Sequence, residues 1–383
     1  MHSSVENIAG VFRRLLLPLL ALAMLAVLNG CDFETRQSTL DPKGPVAEVQ
    51  LDLFMVTVKV SLFIFVTVGG ALLWAVIRYR ERARDRGQPP PSQGHGNPLI
   101  EVALIMASVV LLVIIAVPNL KAIWYTNEFP EDAAHQLKNW YPDALEADIE
   151  DEVLVVNVFG YQWWWAFEYP QFDVVTANEF AVPVGKAVKI NLRAADVIHS
   201  FWLPKLAGKV DLIPGRANWM WIQADEPGHY YGQCAEYCGE AHAYMLFRTE
   251  ALGVEDFARW IQHQKKEAPE PTTNADILEG KQLFLSKTCV QCHSIRGFTV
   301  GIGGPDLTHI ASRKSVAAGI LDNRDIYGRL DPQKQYDNLF NWIKYSYLYK
   351  PGNLMYYPDN GLKNVELSDE EVHKIVKYLQ TLD

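Results

Sequence analysis

The sequence C-A-E-Y-C-G-E-A-H-A-Y-M, residues 234–245, places two cysteines, a histidine and a methionine within twelve positions. Soft sulfur ligands together with imidazole suit copper. A mononuclear blue-copper site uses one cysteine, so the pair Cys234 and Cys238 favours two metal ions that share bridging thiolates. The alternative is a Cys234–Cys238 disulfide, which an oxidising compartment permits. That alternative leaves His242 and Met245 without a role, so we expect a dinuclear copper centre here.

A second histidine ligand has to come from another part of the chain, and two are available. His199 stands at the end of a strand-like run in A-D-V-I-H-S-F, residues 195–201. His229 follows Pro-Gly inside another strand-like run. The residue pattern alone leaves this choice open.

Short β-type segments surround the copper motif at residues 153–159, 218–223, 229–232 and 244–249. Short strands with Gly and Pro punctuation predict a sandwich or barrel. Residues 180–192 predict a hairpin that is broken at Pro183 and Gly185. Residues 255–266 predict a helix, and the polar, Pro-bearing run E-A-P-E-P-T-T, residues 267–273, predicts a domain boundary.

The segment after this boundary contains C-V-Q-C-H, residues 289–293. C-x-x-C-H is the attachment pattern of a c-type haem, in which Cys289 and Cys292 bond to the haem and His293 takes the proximal iron position. A redox dithiol or half of a zinc site would use the same pair of cysteines. No second free cysteine pair exists for zinc, and no βαβ pattern typical of a thioredoxin-like motif surrounds the segment.

A c-type haem domain needs an N-terminal helix, a C-terminal helix and a sixth iron ligand. Residues 276–287 predict the first helix, and the capping box S-D-E-E, residues 368–371, predicts the start of the last one over 369–379. Met355 lies in a Pro/Gly loop before that helix and is the only methionine after the haem motif. We expect it to bind iron and raise the potential, with His309 or a merely packed Met355 as the alternatives.

The N-terminal third predicts membrane segments. Arg13 and Arg14 precede an apolar run that ends in L-N-G-C, residues 28–31, which resembles a lipoprotein signal with Cys31 as the lipidated residue. An ordinary signal peptide or a first membrane helix is the alternative. Residues 60–77 and 102–120 are runs of 18 and 19 residues without a charge, long enough to span a bilayer. The arginine-rich segment 78–86 between them predicts a cytoplasmic loop, with both chain ends outside.

The charge of the chain is distributed unevenly. Of the net −10, residues 128–273 contribute 23 acidic against 11 basic side chains, whereas residues 274–383 carry 13 of each. This acidity argues against nucleic acid as a partner, because a nucleic-acid binder needs a basic face to neutralise phosphates. The five cysteines are also too few for a disulfide scaffold.

The stretch 196–245 resembles the periplasmic domain of cytochrome c oxidase subunit II. The matching motifs are D-V-I-H-S-F (196–201), I-P-G-R-A-N (213–218) and the copper motif, with the aromatic run Q-W-W-W-A-F-E-Y (162–169) upstream. With the membrane hairpin, the resemblance covers roughly residues 45–260. It implies a cupredoxin-like Greek-key β-barrel that holds a dinuclear CuA centre. The implied ligands are the side chains of His199, Cys234, Cys238, His242 and Met245 and the backbone carbonyl of Glu236.

The same resemblance implies roles for four further side chains. The Glu236 carboxylate would lie towards a magnesium ion shared with subunit I, and His229 would be structural. Trp163 matches the tryptophan through which electrons enter CuA, although a core or interface aromatic is the alternative. Glu101 matches an acid at the mouth of a proton pathway, and the alternative is an acid that stabilises the start of a helix through its dipole.

The whole chain resembles subunit II of a caa-type oxidase, in which an all-α class I cytochrome c domain is fused to the CuA subunit. The expected parts are a lipoprotein-like signal peptide (1–30), a two-helix transmembrane hairpin (45–127), a CuA cupredoxin domain (128–268) and a cytochrome c domain (269–383). The resemblance implies an electron-transfer subunit of a proton-pumping oxidase in a bacterial inner membrane. Its partners would be subunits I and III, the bilayer, and cytochrome c or another respiratory complex as electron donor.

Other functions fit the residues less well. A quinol oxidase subunit of the same fold would lack the copper cysteines. A membrane-anchored copper-delivery protein uses a C-x-x-x-C pair and a distant histidine, but has one membrane anchor and no haem. A nitrous oxide reductase carries CuA on a propeller, and no repeats of blade length occur in this sequence. A stand-alone electron carrier would need neither the second span nor the match to an oxidase subunit.

Overall fold

The computed structural model of the protein describes residues 34–80, 96–130, 153–271, 274–356 and 367–383, with four isolated positions elsewhere. The expected signal peptide, the lipidation site Cys31 and most of the arginine-rich segment lie outside the described residues. Three parts follow one another along the chain: a helical hairpin, a β domain and a helical domain. This order confirms the predicted fold class.

The hairpin consists of helices α1 (Pro45–Tyr79) and α2 (Pro98–Asn127), each begun by a proline in the first turn. Their large apolar side chains face outward; Phe65, for example, is 75% exposed, as a lipid-facing side chain would be. At 1.5 Å per residue the helices reach roughly 50 and 45 Å, whereas a bilayer core is about 30 Å thick. Both are thus long and apolar enough to cross a membrane and project beyond it.

One end of the hairpin packs against the β domain. Val46 at the start of α1 is buried in the core of that domain. Near the end of α2, the ring of Tyr125 meets Trp221 edge to face, with centroids 5.5 Å apart. Because α1 begins and α2 ends on this side, the end of α1 at Tyr79 and the start of α2 at Pro98 lie at the opposite end of the hairpin.

The β domain contains two five-stranded sheets, ordered β3-β2-β1-β5-β8 and β4-β10-β9-β6-β7. The pairs β1·β5 and β4·β10 are parallel and the other pairs are antiparallel. The strands are β1 Val155–Tyr161, β2 Trp164–Tyr169, β3 Val174–Ala177, β4 Glu179–Pro183, β5 Val188–Ala194, β6 His199–Trp202, β7 Lys209–Leu212, β8 Asn218–Ile222, β9 Gly228–Cys234 and β10 Leu246–Leu252.

The predicted hairpin over residues 180–192 is wrong. Strands β4 and β5 exist, but they belong to different sheets. In the connection between them, the Val184 N–H donates to the Leu252 carbonyl and the Gly185 N–H donates to the Ala224 carbonyl, both at 2.8 Å. These bonds attach the connection to residues outside β4 and β5. The chain therefore passes from one sheet to the other and does not form a hairpin within one sheet.

Aromatic side chains fill the space between the two sheets. Phe201 stacks on Phe247 and Phe167 stacks on Phe180, each pair with centroids 4.4 Å apart. All four are fully buried, and each such side chain stabilises the fold by on the order of 2 kcal/mol through burial. Helix α3 (Val254–Gln264) closes one end of this core by inserting Phe257 and Ile261.

The C-terminal domain contains helices α4 (Ala275–Ser286), α5 (Pro332–Tyr349) and α6 (Asp369–Leu379) and two short hairpins, β11–β12 (Ser294–Ile295, Thr299–Val300) and β13–β14 (Ser315–Val316, Leu321–Asp322). Helices α4 and α6 cross at Gly280, where a Cβ would stand 2.0 Å from the Lys374 carbonyl oxygen. The capping box predicted at the start of α6 is confirmed. Helix α5 was not predicted, although Asp331 and Pro332 form an N-cap and first-turn proline.

The two globular domains are joined by buried polar contacts as well as by the linker. The Arg248 guanidinium, on β10, donates to the Gly319 carbonyl at 2.5 Å, and the Leu246 N–H donates to the Ala318 carbonyl at 3.1 Å. The Arg248 side chain also stacks over Tyr231, which receives a hydrogen bond from Arg324 at 2.5 Å. The haem-motif domain is therefore docked on the second sheet through specific contacts.

We predict that Arg248→Met loosens this docking. The substitution removes a buried donor and leaves the Gly319 carbonyl without its partner, which costs on the order of 2 kcal/mol. Thermal unfolding of the purified protein and limited proteolysis of the linker at 267–273 would measure the effect. Arg216→Met, at an exposed position, is the matched control. Equal unfolding temperatures and equal cleavage rates for the two variants would show that Arg248 does not hold the domains together.

Candidate metal centre and cofactor cavity

The strand register brings the copper motif and one of the two histidines together. Cys234 ends β9 and pairs with Phe201 of β6, two residues after His199. The Ala235 N–H donates to the Ser200 carbonyl at 3.0 Å, and the Cys234 N–H donates to the Met245 carbonyl at 2.9 Å. These bonds close the loop 235–245 over the end of the second sheet.

The sulfur and nitrogen atoms of this loop converge on the Cys238 thiol. Its Sγ lies 3.8 Å from Cys234 Sγ, 3.8 Å from Met245 Sδ and 3.6 Å from His242 Nδ1. Cys234 Sγ is also 3.2 Å from the Glu236 carbonyl oxygen. A disulfide would require about 2.05 Å between the sulfurs, so both cysteines are free thiols. These atoms, with His199, could hold a pair of soft metal ions such as copper.

His199 completes the cluster, whereas His229 lies elsewhere. Ligand atoms of His199, Cys234 and Cys238 lie within 4.8 Å of one another, and all three residues are buried. The His199 Nδ1 atom is buried without a hydrogen-bond partner, which is the state expected of an atom reserved for a metal. The His229 ring instead contacts the Glu250 carboxylate through Nδ1. The geometry thus selects His199 from the two histidines that the sequence left open.

Asp196 orients His199. Its carboxylate accepts from His199 Nε2 at 2.8 Å and from the backbone N–H groups of Gln162 and Val197, both at 2.6 Å. Burial raises the pKa of Asp196, but these hydrogen bonds outweigh it and the net pKa is lowered. Burial likewise lowers the pKa of His199, and its hydrogen bond to Asp196 and the negative charge of the Cys234 thiolate raise it overall. A carboxylate on the far ring nitrogen fixes the tautomer in which Nδ1 is free for a metal.

The neighbouring thiols make one of the cysteines acidic. A hydrogen bond with the Cys238 thiol is the main reason that the pKa of Cys234 falls to about 4, against the opposing effect of burial. The same hydrogen bond raises the pKa of Cys238, because a second negative charge beside the first is unfavourable. Binding cations would remove this repulsion, which explains why two buried thiols can lie together without a disulfide.

The C-terminal domain contains a cavity of about 840 Å³, within the size range of cofactor pockets. Cys289, Cys292 and His293 line it together with Met355. The His293 Nδ1–H donates to the Pro305 carbonyl at 2.8 Å, so Nε2 carries the lone pair, and burial lowers the pKa of the ring. The residues therefore fit a c-type haem, with a neutral imidazole available to the iron.

Met355 and His309 occupy different places. Met355 lies in the turn Leu354–Tyr356 and is part of the cavity lining. His309 is buried against His263 of α3, with ring centroids 4.7 Å apart, and is not among the described residues that line the cavity. The geometry favours Met355 over His309 as the sixth ligand.

Trp163 connects the cavity to the metal cluster. Its indole belongs to the cavity lining, although the residue comes from the β domain. The indole Nε1–H donates to the Cys238 carbonyl at 2.9 Å, and the Gln162 amide donates to the same oxygen at 2.8 Å. The residue is only 9% exposed, and its buried side chain lies between the cavity and the cluster.

Glu101 lies in the first turn of α2, four residues after the N-cap Asn97, whose carbonyl accepts its backbone N–H at 3.0 Å. Its side chain is exposed beside Gly96. This position is favourable for an acid at a helix start and is also open to solvent at the end of the hairpin away from the β domain.

Two residues at this site were missed by the sequence analysis. Asp196 stood inside a quoted motif, three positions before His199, without an assigned role. Lys350 lines the cavity and donates to the Trp163 carbonyl at 2.7 Å, across 187 positions of sequence. Only the spacing of Asp196 from His199 offered a signal; nothing near Lys350 indicates that it is buried.

Comparisons with known families cover both domains. Residues 173–252 match the family model of the cytochrome c oxidase subunit II periplasmic domain, and residues 277–383 match that of cytochrome c.

Curated relatives cover nearly the whole chain. Cytochrome c oxidase subunit 2 of Alkalihalophilus pseudofirmus is 33% identical over 367 residues, 96% of each chain. The Bacillus subtilis protein of the same name is 31% identical over 380 residues, 96% of this chain and 97% of its own. Quinol oxidase subunit 2 of Bacillus spizizenii is 34% identical over 263 residues, but this covers 68% of this chain and 76% of its own.

We predict that Asp196→Asn weakens metal retention at the cluster. The amide can present its NH₂ to His199 Nε2 and disturb the tautomer, and loss of such a carboxylate typically costs ten- to a hundredfold in metal affinity, or roughly 1.4–3 kcal/mol. The check is the copper content of the purified protein after a timed chelator challenge. Asp256→Asn, on the exposed face of α3, serves as the control. Copper retention equal to the control would exclude an orienting role for Asp196.

Proposed function

The chain belongs to the cytochrome c oxidase subunit II family, and we propose that it relays electrons within a proton-pumping haem–copper oxidase. Electrons from a cytochrome c-type donor would pass through its own haem c to the copper cluster and on to subunit I, where oxygen is reduced to water. As a family member with a cytochrome c domain, the chain is a subunit of an oxidoreductase whose domains imply copper and haem.

The cluster around Cys238 supports the assignment of six copper ligands. They are the side chains of His199, Cys234, Cys238, His242 and Met245 and the carbonyl of Glu236, and each donor atom lies within 4.8 Å of a cysteine sulfur of the cluster. When bound, the copper pair and the haem each take up and release one electron at a time. The two neighbouring thiols of Cys234 and Cys238 would suit that chemistry, because soft sulfur ligands suit copper.

The haem would be held by Cys289 and Cys292 through thioether bonds, and His293 and Met355 would be the side chains that bind its iron. The hydrogen bond from His293 Nδ1 to Pro305 fixes the ring that faces the iron. A thioether as sixth ligand favours the reduced iron and raises the potential, as a donor to copper requires.

A single observation carries the proposed electron path. Trp163 lines the haem cavity and donates from its indole to the carbonyl of the proposed ligand Cys238 at 2.9 Å. The side chain is buried, so little water reaches this contact. This position supports the proposed role of Trp163 in electron uptake by the copper centre, with the chain's own haem on the other side.

The remaining assignments concern the assembly in the membrane. The arginine-rich sequence 78–86 follows the end of α1 that lies away from the β domain, which supports a cytoplasmic loop there. The copper and haem domains would then lie on the periplasmic side of a bacterial inner membrane. Glu101 at that far end would take up protons from the cytoplasm, and the exposed Glu236 carboxylate would reach a magnesium ion at the interface with subunit I. Subunit III completes the expected assembly. Lipidation of Cys31 stays a prediction.

We predict that Cys238→Ser abolishes the mixed-valence copper signal in the electron paramagnetic resonance spectrum of the intact complex, because the hydroxyl cannot replace a bridging thiolate. The haem absorbance should be retained, since the haem residues lie in the other domain. A copper-delivery protein would instead show a single-copper spectrum in the wild type. A mixed-valence signal that survives Cys238→Ser would contradict the proposed ligand set.

We predict that Met355→Ala lowers the midpoint potential of the haem by on the order of 0.1 V, because the thioether no longer stabilises the reduced iron. A spectroscopic redox titration measures this shift, and the haem should stay covalently attached. Leu354→Ala, next to it in the same turn and also in the cavity lining, is the control. Equal shifts in both variants would mean that Met355 is only a packed side chain.

A further inference from the structure

Lys350 is an unusual residue at the boundary of the two domains. It follows α5 in the haem domain and is 3% exposed. Its Nζ donates to the Trp163 carbonyl at 2.7 Å, and no acidic side chain among the described residues forms an ion pair with it. Burial lowers its pKa to about 7. Burying an ammonium group is costly, so a lysine without a carboxylate partner at this place needs an explanation.

The loop after Lys350 packs closely against the Trp163 side chain. Gly352 has φ +74°, a conformation that glycine adopts at no steric cost. A Cβ there would stand 3.1 Å from the Trp163 Cη2 atom and 2.7 Å from the Glu240 carboxylate. Three residues further on the loop carries Met355, the proposed iron ligand. The loop 350–355 thus contacts the copper domain at its beginning and the haem cavity at its end.

Two hydrogen bonds in succession connect the loop 350–355 to the copper cluster. Lys350 donates to the main-chain carbonyl of Trp163, and the indole of Trp163 donates to the main-chain carbonyl of Cys238. A shift of the loop would therefore move the haem ligand relative to the tryptophan. These two hydrogen bonds hold the loop 350–355 and the Trp163 indole in one arrangement.

We propose that Lys350 is a positioning residue for electron transfer between the two cofactors, which fixes the loop that carries Met355 against Trp163. The inference rests on the proposed function. In the step concerned, one electron leaves the reduced haem iron and is taken up by the oxidised copper pair, with no bond made or broken and no proton transferred. Lys350 donates to the Trp163 carbonyl and acts through the tryptophan.

The test uses the intact purified oxidase with a photosensitiser that reduces the haem in a flash. Haem reoxidation and copper reduction are followed together by absorbance, and the haem potential and the copper resonance spectrum are measured on the same samples. Lys350→Met should slow the transfer roughly tenfold, the effect of losing a charged hydrogen bond, with both cofactors still bound. Lys350→Arg should restore most of the rate.

Two further variants separate position from charge. Lys334→Met removes a positive charge at an exposed position of α5, the helix that ends just before Lys350; this lysine donates within the haem domain, to the Arg324 carbonyl at 2.9 Å, and is not among the described residues that line the cavity. It should leave the rate within about twofold of the wild type. Gly352→Ala keeps the Lys350 charge and pushes the loop away from Trp163, so it should slow the transfer to the same extent as Lys350→Met. This variant also tests the inference if the Lys350→Met protein fails to incorporate haem.

The outcomes distinguish this inference from the function it rests on. If the wild-type haem is reoxidised without copper reduction, the proposed relay itself is wrong. If the wild type transfers normally and Lys350→Met and Gly352→Ala do so at the same rate, only the positioning role is overturned. Equal slowing by Lys334→Met would assign the effect to the positive charge of the haem domain and would likewise overturn it.

Discussion

The carbonyl oxygen of Cys238 is the point at which the sulfur and nitrogen cluster is tied to the tryptophan that lines the haem cavity. It accepts hydrogen bonds from the Trp163 indole and the Gln162 amide, while the thiol of the same residue lies at the centre of the sulfur and nitrogen cluster. Any movement of this peptide would shift the cluster and the wall of the haem cavity together. The strands of the β domain hold it in place, since β9 ends and β10 begins on either side of the loop.

The surrounding structure keeps this contact dry and fixed. Trp163 is almost fully buried, and the loop from Lys350 covers it from the haem side. Further along the interface, Arg248 and the pair Tyr231–Arg324 bind the haem domain to the second sheet. Buried groups of this kind are costly to leave unpaired, so the domains gain a single docked arrangement from them. Such docking would make domain diffusion unnecessary for the proposed electron transfer.

The sequence was informative where the chemistry lies within one segment. The motifs 234–245 and 289–293 carry their metal and haem residues at fixed steps, and the family they indicate is confirmed by relatives that span the whole chain. The order of the parts and the capping box of α6 are confirmed as well. The set of copper ligands itself stays a prediction, and the structure places the proposed donor atoms close to the two cysteine sulfurs.

Sequence reasoning failed where partners are distant along the chain. Strands β4 and β5 follow each other in the sequence, but they pair with strands that are distant along the chain. Strand β4 pairs with β10, and β5 pairs with β1 and β8, so local sequence does not show that the chain passes from one sheet to the other. Lys350 and Arg248 look like ordinary surface charges because their carbonyl partners lie in the other domain. Hydrogen bonds to main-chain carbonyls leave no trace in the residue types of the acceptors.

The most direct test of a fixed relay is the viscosity dependence of electron transfer from haem to copper in the wild-type complex after flash reduction. A docked haem domain predicts a single phase whose rate does not change with solvent viscosity or enzyme concentration. A rate that falls in proportion to viscosity would mean that the haem domain has to move before the electron is transferred, and would contradict the account.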